Sequence, residues 1–194
     1  MTEVGIVLSN PYGGECRPGT VGFPLGDSQF RIVSDTGEDL PDGEVGELWI
    51  NGSSVISSYW ERPKQSKEAI CDGWLRSGDL ALRDSDGYYS IVGRAKDLII
   101  SGGMNVYPRE VERCLLQHDS VDEVAVIGLP DEEWGEQVTA IVIGRSQMES
   151  LLDFARGALS SYKCPKKVFY VESFPRNAMG KIQKARLREK DDEQ

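Results

Sequence analysis

The chain is poor in the residues that most enzymes use for nucleophilic or metal chemistry. It has one histidine, His118, in 194 residues, and four cysteines, Cys16, Cys71, Cys114 and Cys164, which stand far apart. No two cysteines fall at metal-ligand spacing, and a Ser–His–Asp or Cys–His device is not expected. His118 follows a helical segment and precedes Asp119-Ser120, a position at which such residues end helices. Positive charge is also scarce, with 22 Lys and Arg against 32 Asp and Glu, a net charge of −10 and a pI near 4.7. That balance argues against the clustered basic surface that nucleic acid requires. It leaves open a small phosphorylated ligand, which needs only one or two well-placed cations. No apolar run approaches the ~20 residues of a membrane span. The first residues lack a basic-then-apolar signal, so a cytoplasmic protein is expected. The Gly-x-x-x-x-Gly-Lys-Ser/Thr pattern of a P-loop is missing, as are internal repeats and low-complexity segments.

What is present is the composition of a folded protein, 39% hydrophobic and 28% charged, in a chain long enough for one large or two small domains. The most informative stretch runs from Gly93 to Glu112. Three charged groups (Arg94, Lys96, Asp97) precede a short apolar run, Leu98-Ile99-Ile100, which breaks at Gly102-Gly103 before a helix opens through Pro108 and Glu110. Glycine has no Cβ, so Gly-Gly here lets the backbone approach something closely, or simply turns a strand into a helix. Before this stretch the chain reads as short strands with frequent turns. Gln29–Val33 alternates polar and apolar residues, Glu47–Ile50 is closed by Asn51-Gly52, and Asp86-Gly87 turns into Tyr88–Val92. Pro63–Ile70 reads as one short helix.

After it come a helix to about Gln117 with Val111, Leu115 and Leu116 on one face, strands at Val121–Leu129 and Gln137–Ile143, and a helix at Met148–Leu159. A strand at Val168–Val171 and a charged terminal helix complete the order. The expected fold class is α+β: a small β-rich, barrel-like subdomain over residues 1–95, then a compact α+β domain over 96–194 with a small central sheet and flanking helices. The opening Met1-Thr2-Glu3-Val4-Gly5 has no cap or polar tail, and the expectation is that the chain begins inside a larger fold.

Several residues could carry chemistry. Lys181, in Gly180-Lys181 after a loop of Pro, Arg, Asn and Gly, could bring a point charge to a phosphoryl oxygen, although a bare Gly-Lys reads more readily as a solvated surface lysine. Asp79 could accept two hydrogen bonds from vicinal ribose hydroxyls or cap the following turn. Arg94 could donate to the same sugar or form an ion pair. Thr2 and Glu3 offer a hydroxyl and a hard oxygen ligand suited to phosphate and Mg²⁺. Trp49, Trp60, Trp74 and Trp134 are expected in core or hinge packing, not as a stacking platform.

Five stretches then stand in one order: Met1-Thr2-Glu3-Val4-Gly5, Gly46-Glu47-Leu48 with Tyr59-Trp60, Ser77-Gly78-Asp79, the Gly93–Glu112 stretch, and Pro175-Arg176-Asn177-Ala178-Met179-Gly180-Lys181-Ile182. Over its whole length the chain resembles the C-terminal portion of the acyl-adenylating acid–CoA ligases, and within them most resembles malonyl-CoA synthetases. The resemblance implies a two-step reaction with ATP, Mg²⁺ and CoA, forming acyl-AMP and then acyl-CoA. It implies that Thr2 holds phosphate oxygens, Glu3 binds Mg²⁺, Asp79 and Arg94 bind the AMP ribose, and Lys181 is catalytic, stabilising charge between the acid and the α-phosphate. Lys96 matches the hinge, and Ser101, Gly102 and Gly103 match the loop that faces CoA once the C-terminal domain has rotated. The family's upstream phosphate-binding loop and most of its acid-binding wall have no counterpart here, so the chain alone is expected to lack ligase activity. The partners implied are small molecules and the rest of the adenylating domain. A module that loads a carrier protein, or a non-catalytic binding module, are the other readings; an intact Lys181 loop and the lack of a carrier domain before Gln194 stand against them.

Overall fold

The computed structural model describes residues 1–145 and 147–189. The chain divides into two compact units, Met1–Ala95 and Lys96–Gln194, and each has its own apolar core.

The first unit is built on an antiparallel sheet. Its strands are β3 (Gln29–Val33), β4 (Gly46–Asn51), β5 (Ile70–Cys71), β6 (Trp74–Arg83) and β7 (Tyr89–Arg94), preceded by a ribbon of β1 (Leu8–Ser9) and β2 (Phe23–Pro24). β3, β4 and β6 lie side by side, and both β5 and β7 pair with β6. Period-two alternation sends Ile32, Leu48, Ile50, Leu75 and Ala81 into one core with Val4, Val7 and Tyr89, as expected for a sheet with one buried face. On the opposite face Arg31 lies over the rings of Trp49 and Trp74 at 5.5 and 5.4 Å, and Arg76 over Trp49 at 5.0 Å. The Gly/Pro-rich loop between β1 and β2 is pinned by Arg17. That residue pairs with Asp86 at 2.8 Å and stacks on Tyr88 at 4.2 Å. The ten-residue β6, the longest strand of this unit, was not anticipated, because Ser77-Gly78-Asp79 interrupts its apolar alternation. The helix α1 (Pro63–Ala69) carries Pro63 in its first turn, where a missing N–H costs little. Trp60 corrects the expectation of tryptophans in packing. It is 87% exposed, in the turn before α1 next to Glu61 at φ +52°, where the chain doubles back and gives the ring nothing to pack on.

A 3₁₀ turn at Ala95–Asp97 spans the unit boundary, and the second unit continues with β8 (Ile99–Ser101) and β9 (Met104–Val106), α2 (Pro108–Leu115), β10 (Val121–Asp131), β11 (Gly135–Gly144), α3 (Met148–Ala158), β12 (Lys167–Tyr170) and α4 (Lys184–Glu189). Gly102-Gly103 thus turns a strand into a strand, and only then does the helix begin. Ile99 pairs with Val106 and Ser101 with Met104. The sheet order is β10-β11-β8-β9, with β12 parallel to β11. The near-continuous apolar runs of β10 and β11 reflect burial on both faces. Val124, Val126, Val138, Ala140 and Val142 meet Val111, Leu115, Leu151 and Ala155 of α2 and α3, while Ala125, Ile127, Leu129 and Ile141 meet Phe174 and Leu187. Leu116, expected on the buried face of α2, is 50% exposed. It caps the helix one position past Leu115, so its place at i+3 is taken by Cys114. The charged helix expected at the end of the chain is present to Glu189; residues 190–194 lie outside the described residues.

Candidate functional site

In the first unit two separated motifs meet across a strand pair. Asp79 on β6 lies directly opposite Arg94 on β7, and Arg94 Nε donates to Asp79 Oδ1 at 2.7 Å. Opposed residues of an antiparallel pair project to one face, so a carboxylate and a guanidinium are presented side by side. A bulge produces this presentation. β4 advances from Glu47 to Trp49 while β6 advances from Leu80 to Arg76, so Ser77, Gly78 and Asp79 stand against one residue of β4. Gly78 takes φ +68° there, a left-handed conformation that a side chain resists.

Glu47 holds the bulge, and sequence reasoning gave it no role. Its Oε1 accepts the Gly78 N–H at 3.1 Å, and its Oε2 accepts Trp49 Nε1–H at 2.9 Å with Arg76 Nε 3.7 Å away. Ser77 Oγ in turn accepts the Asp79 N–H at 3.0 Å. The available signal was a lone acid in a strand that otherwise alternates cleanly; its partner, 31 residues on, could not be inferred. A cleft of about 640 Å³ opens beside the bulge, lined among others by Glu47, Tyr59, Arg62, Arg76, Ser77 and Gly78.

Thr2 and Glu3 lie in a turn closed by the Gly5 N–H on the Met1 carbonyl at 2.9 Å. Val4, 3% exposed, anchors the turn in the core, and Thr2 stays exposed. Glu3 Oε1 accepts the Tyr59 hydroxyl at 3.2 Å. Burial, and then the Glu3 carboxylate, push the Tyr59 phenol above its ordinary pKa. The cleft therefore has Glu3's partner Tyr59 and the Ser77-Gly78 bulge on its walls. Among the described residues no group of three or more His, Cys, Asp and Glu could hold a metal. One carboxylate fits a Mg²⁺ carried largely by nucleotide phosphates and water, not an all-protein cage.

In the second unit Lys181 stands beside a hairpin turn at Asn177–Gly180. Asn177 Oδ1 accepts the N–H groups of Met179 and Lys181, each at 3.0 Å, and its carbonyl accepts Gly180 N–H at 2.9 Å. The Asn177 N–H returns to the Lys181 carbonyl at 2.9 Å, and Gly180 takes φ +78°. Lys181 is exposed, and among the described residues its Nζ makes no hydrogen bond or ion pair.

Lys96 is exposed in the 3₁₀ turn, the first residue of the second unit. Gly102 and Gly103, at φ +58° and +76°, form the exposed turn of the β8–β9 hairpin, whereas Ser101 is 1% exposed beneath it with Oγ unpaired among the described residues. Two further residues brace this hairpin that sequence reasoning left without a role in it. The Trp134 carbonyl accepts the Gly102 N–H at 2.8 Å, and Glu136 Oε2 accepts the Ile100 N–H at 2.8 Å. His118 follows α2, as expected, in the bend three residues past Leu115: Nδ1 accepts the Ser120 N–H, and Nε2 lies 3.3 Å from Ser150 Oγ.

The family model of the AMP-binding enzyme matches residues 1–60, and that of the AMP-binding enzyme C-terminal domain matches residues 110–181. The chain is 38% identical over 193 residues to a long-chain-fatty-acid–CoA ligase of Salmonella typhimurium, covering 97% of this chain and 34% of that protein. It is 41% identical over 194 residues to a sulfoacetate–CoA ligase of Cupriavidus necator, covering 96% and 38%. The crystal structure of ATP-bound MatB from Rhodopseudomonas palustris is 41% identical and superposes with a TM-score of 0.91, covering 98% of this chain and 39% of that one. The chain thus spans little more than a third of the length of the curated relatives it matches. Their names agree on joining an acid to CoA and differ on the acid. The chain thus carries an AMP-binding enzyme segment over residues 1–60 and an AMP-binding enzyme C-terminal domain over residues 110–181, and its curated relatives are acid–CoA ligases.

Proposed function

We propose that this chain supplies the ribose-binding pair, the hinge and the mobile lysine of an ATP-dependent carboxylic acid–CoA ligase that acts on a small acid such as malonate. The observation that carries the reading is the Asp79–Arg94 pair, presented on one face of β6–β7 by a braced bulge. A carboxylate there accepts from two vicinal hydroxyls of a ribose while the guanidinium donates to a sugar oxygen. Likeness to an ATP-bound structure supports the nucleotide; malonate rests on the finer likeness to MatB, a malonyl-CoA synthetase.

In the first half-reaction an oxygen of the acid's carboxylate attacks the α-phosphorus of ATP, the bond to the β-phosphate oxygen breaks, and pyrophosphate leaves. Lys181 Nζ places a positive charge against the oxygens on which negative charge accumulates. Thr2 donates its hydroxyl to a phosphate oxygen, and Glu3 offers one ligand for the Mg²⁺ that arrives with the nucleotide. In the second half-reaction the CoA thiolate attacks the acyl carbon and AMP departs. Rotation at Lys96 exchanges the Lys181 loop for the Gly102-Gly103 turn between the two steps, a hinge motion of a familiar kind.

The test is acid-dependent ATP–pyrophosphate exchange by the full-length ligase that carries this chain, with malonate, a long-chain fatty acid and sulfoacetate as probes. Lys181→Ala is expected to lower exchange by about 100-fold or more, the scale of one removed transition-state donor. Normal exchange by that variant would refute the role given to Lys181. The 194-residue chain alone is expected to form no thioester from ATP, CoA and any of these acids.

A further inference from the structure

We infer that the Arg176–Glu123 ion pair is the positioning device of the Lys181 loop for adenylate formation, an inference that rests on the catalytic reading of Lys181. The hydrogen bonds of Asn177 and the closing bridge between Arg176 and Ile182 all lie within the loop, so they fix its shape and not its direction. At its feet the loop is held by Phe174, 7% exposed, and by Ile182 against the same core. Neither contact reaches the turn. Arg176 does: Nη1 donates to the Gly180 carbonyl at 2.7 Å, one residue before Lys181, while Nη2 donates to Glu123 Oε2 at the start of β10. One planar guanidinium therefore grips the turn and the sheet together. The fixed fork of its donors transmits the position of β10 to the backbone of Lys181. A lysine ammonium has donors enough for both acceptors but presents them from one freely rotating atom, without the fixed aim of the fork.

The need for such a device follows from the side chain it serves. Lys181 extends from an exposed turn on a flexible four-carbon stem, and a charge-stabilising group is effective in proportion to how little it must reorganise. Glu123 and Arg176 are both substantially exposed, at 45% and 39% of their side chains, so the pair adds little to the stability of the fold. Its consequence is expected in one half-reaction.

The experiment separates the two half-reactions in the full-length ligase. The acid is the one that gives the fastest exchange among malonate, a long-chain fatty acid and sulfoacetate. Glu123→Ala is expected to lower acid-dependent ATP–pyrophosphate exchange about tenfold, within the range a small misplacement of a catalytic group costs. Glu123→Gln, which keeps an acceptor for Arg176, should restore most of the loss, and Arg176→Lys should fall between the two. Enzyme-bound adenylate, loaded with stoichiometric ATP and chased with CoA, should turn over in Glu123→Ala at the wild-type rate. That second rate also reports an intact fold. Unchanged exchange in Glu123→Ala, or an equal loss in both half-reactions, overturns the inference. Lys181→Ala run in parallel separates the failures: if it exchanges normally, the reading of Lys181 has failed, and if it is dead while Glu123→Ala is normal, only the positioning role has.

Discussion

Glu47 shows how much the Asp79–Arg94 pair depends on a residue outside it. Its two carboxylate oxygens accept the Gly78 N–H and the Trp49 indole N–H, and both donors would be left without a partner by truncation. Glu47→Ala should destabilise the chain by about 1–3 kcal/mol, the usual cost of leaving partly buried donors unmet, as read from the denaturant midpoint. In the full-length ligase the same variant should raise KM for ATP more than it changes kcat, because a slack bulge misplaces Asp79 before it touches the chemistry. A kcat loss with unaltered KM would contradict the link between Glu47 and the Asp79–Arg94 pair. Asp79, Arg94 and Lys181 were legible because each sits in a short motif with its glycines. Glu47 was legible as part of the Gly46-Glu47-Leu48 stretch but not in its bracing role, which is set by a register shift between β4 and β6.

At the scale of elements, the β8–β9 hairpin separates local from tertiary constraint. Both residues of its two-residue turn take positive φ, the requirement of a type I′ hairpin. A Cβ on Gly103 would meet nothing within 4 Å, whereas one on Gly102 would lie 2.9 Å from the Trp134 ring. Gly103→Ala should therefore cost about 1–2 kcal/mol, the left-handed penalty alone, and Gly102→Ala more, because the ring must also move. Equal midpoint shifts in urea would show that Trp134 does not press on the turn. The sequence announced the Gly-Gly break and the helix at Pro108 but not β9, whose three residues are too few to show a period of two. The brace from Trp134 and Glu136 arrives from the β10–β11 hairpin, more than thirty residues along the chain, and no local pattern encodes it.

At the scale of the whole molecule, two units with separate cores make a separable fold. Residues 96–194 expressed alone should unfold in one cooperative thermal transition, as an autonomous domain does; a broad, non-cooperative melt would mean that their core needs the first unit. Alkaline pH should weaken this unit. A hydrogen bond from Lys163 to Glu110 raises the Lys163 pKa, and burial pushes up the Cys114 and Cys164 thiols and the Tyr107 phenol. Each folded-state value lies above the unfolded one, so between the two the folded chain binds more protons and stability falls as pH rises. The contributions are complete below the thiols' ordinary value of 9.0 and disappear as pH climbs through the raised values, the lysine's from 10.5 upward. Urea midpoints measured from about pH 8 to about pH 11 should decline, and Glu110→Gln should remove the steepest part of the decline above 10.5.

What the sequence determined by itself was local: strands and helices wherever apolar residues kept a period, turns wherever glycine and proline stood, and the motifs that carry Asp79, Arg94, Lys96 and Lys181. Tertiary structure alone decided the pairings. Asp79 meets Arg94 because β6 and β7 share a register, Gly78 bends because Glu47 holds it from a neighbouring strand, and Gly180 is tied to β10 through Arg176 and Glu123. The physical reason is common to all three. A side chain's chemistry is written at its own position, but the direction in which it works is fixed by hydrogen bonds to residues distant in the chain, and those exist only once strands have found their partners.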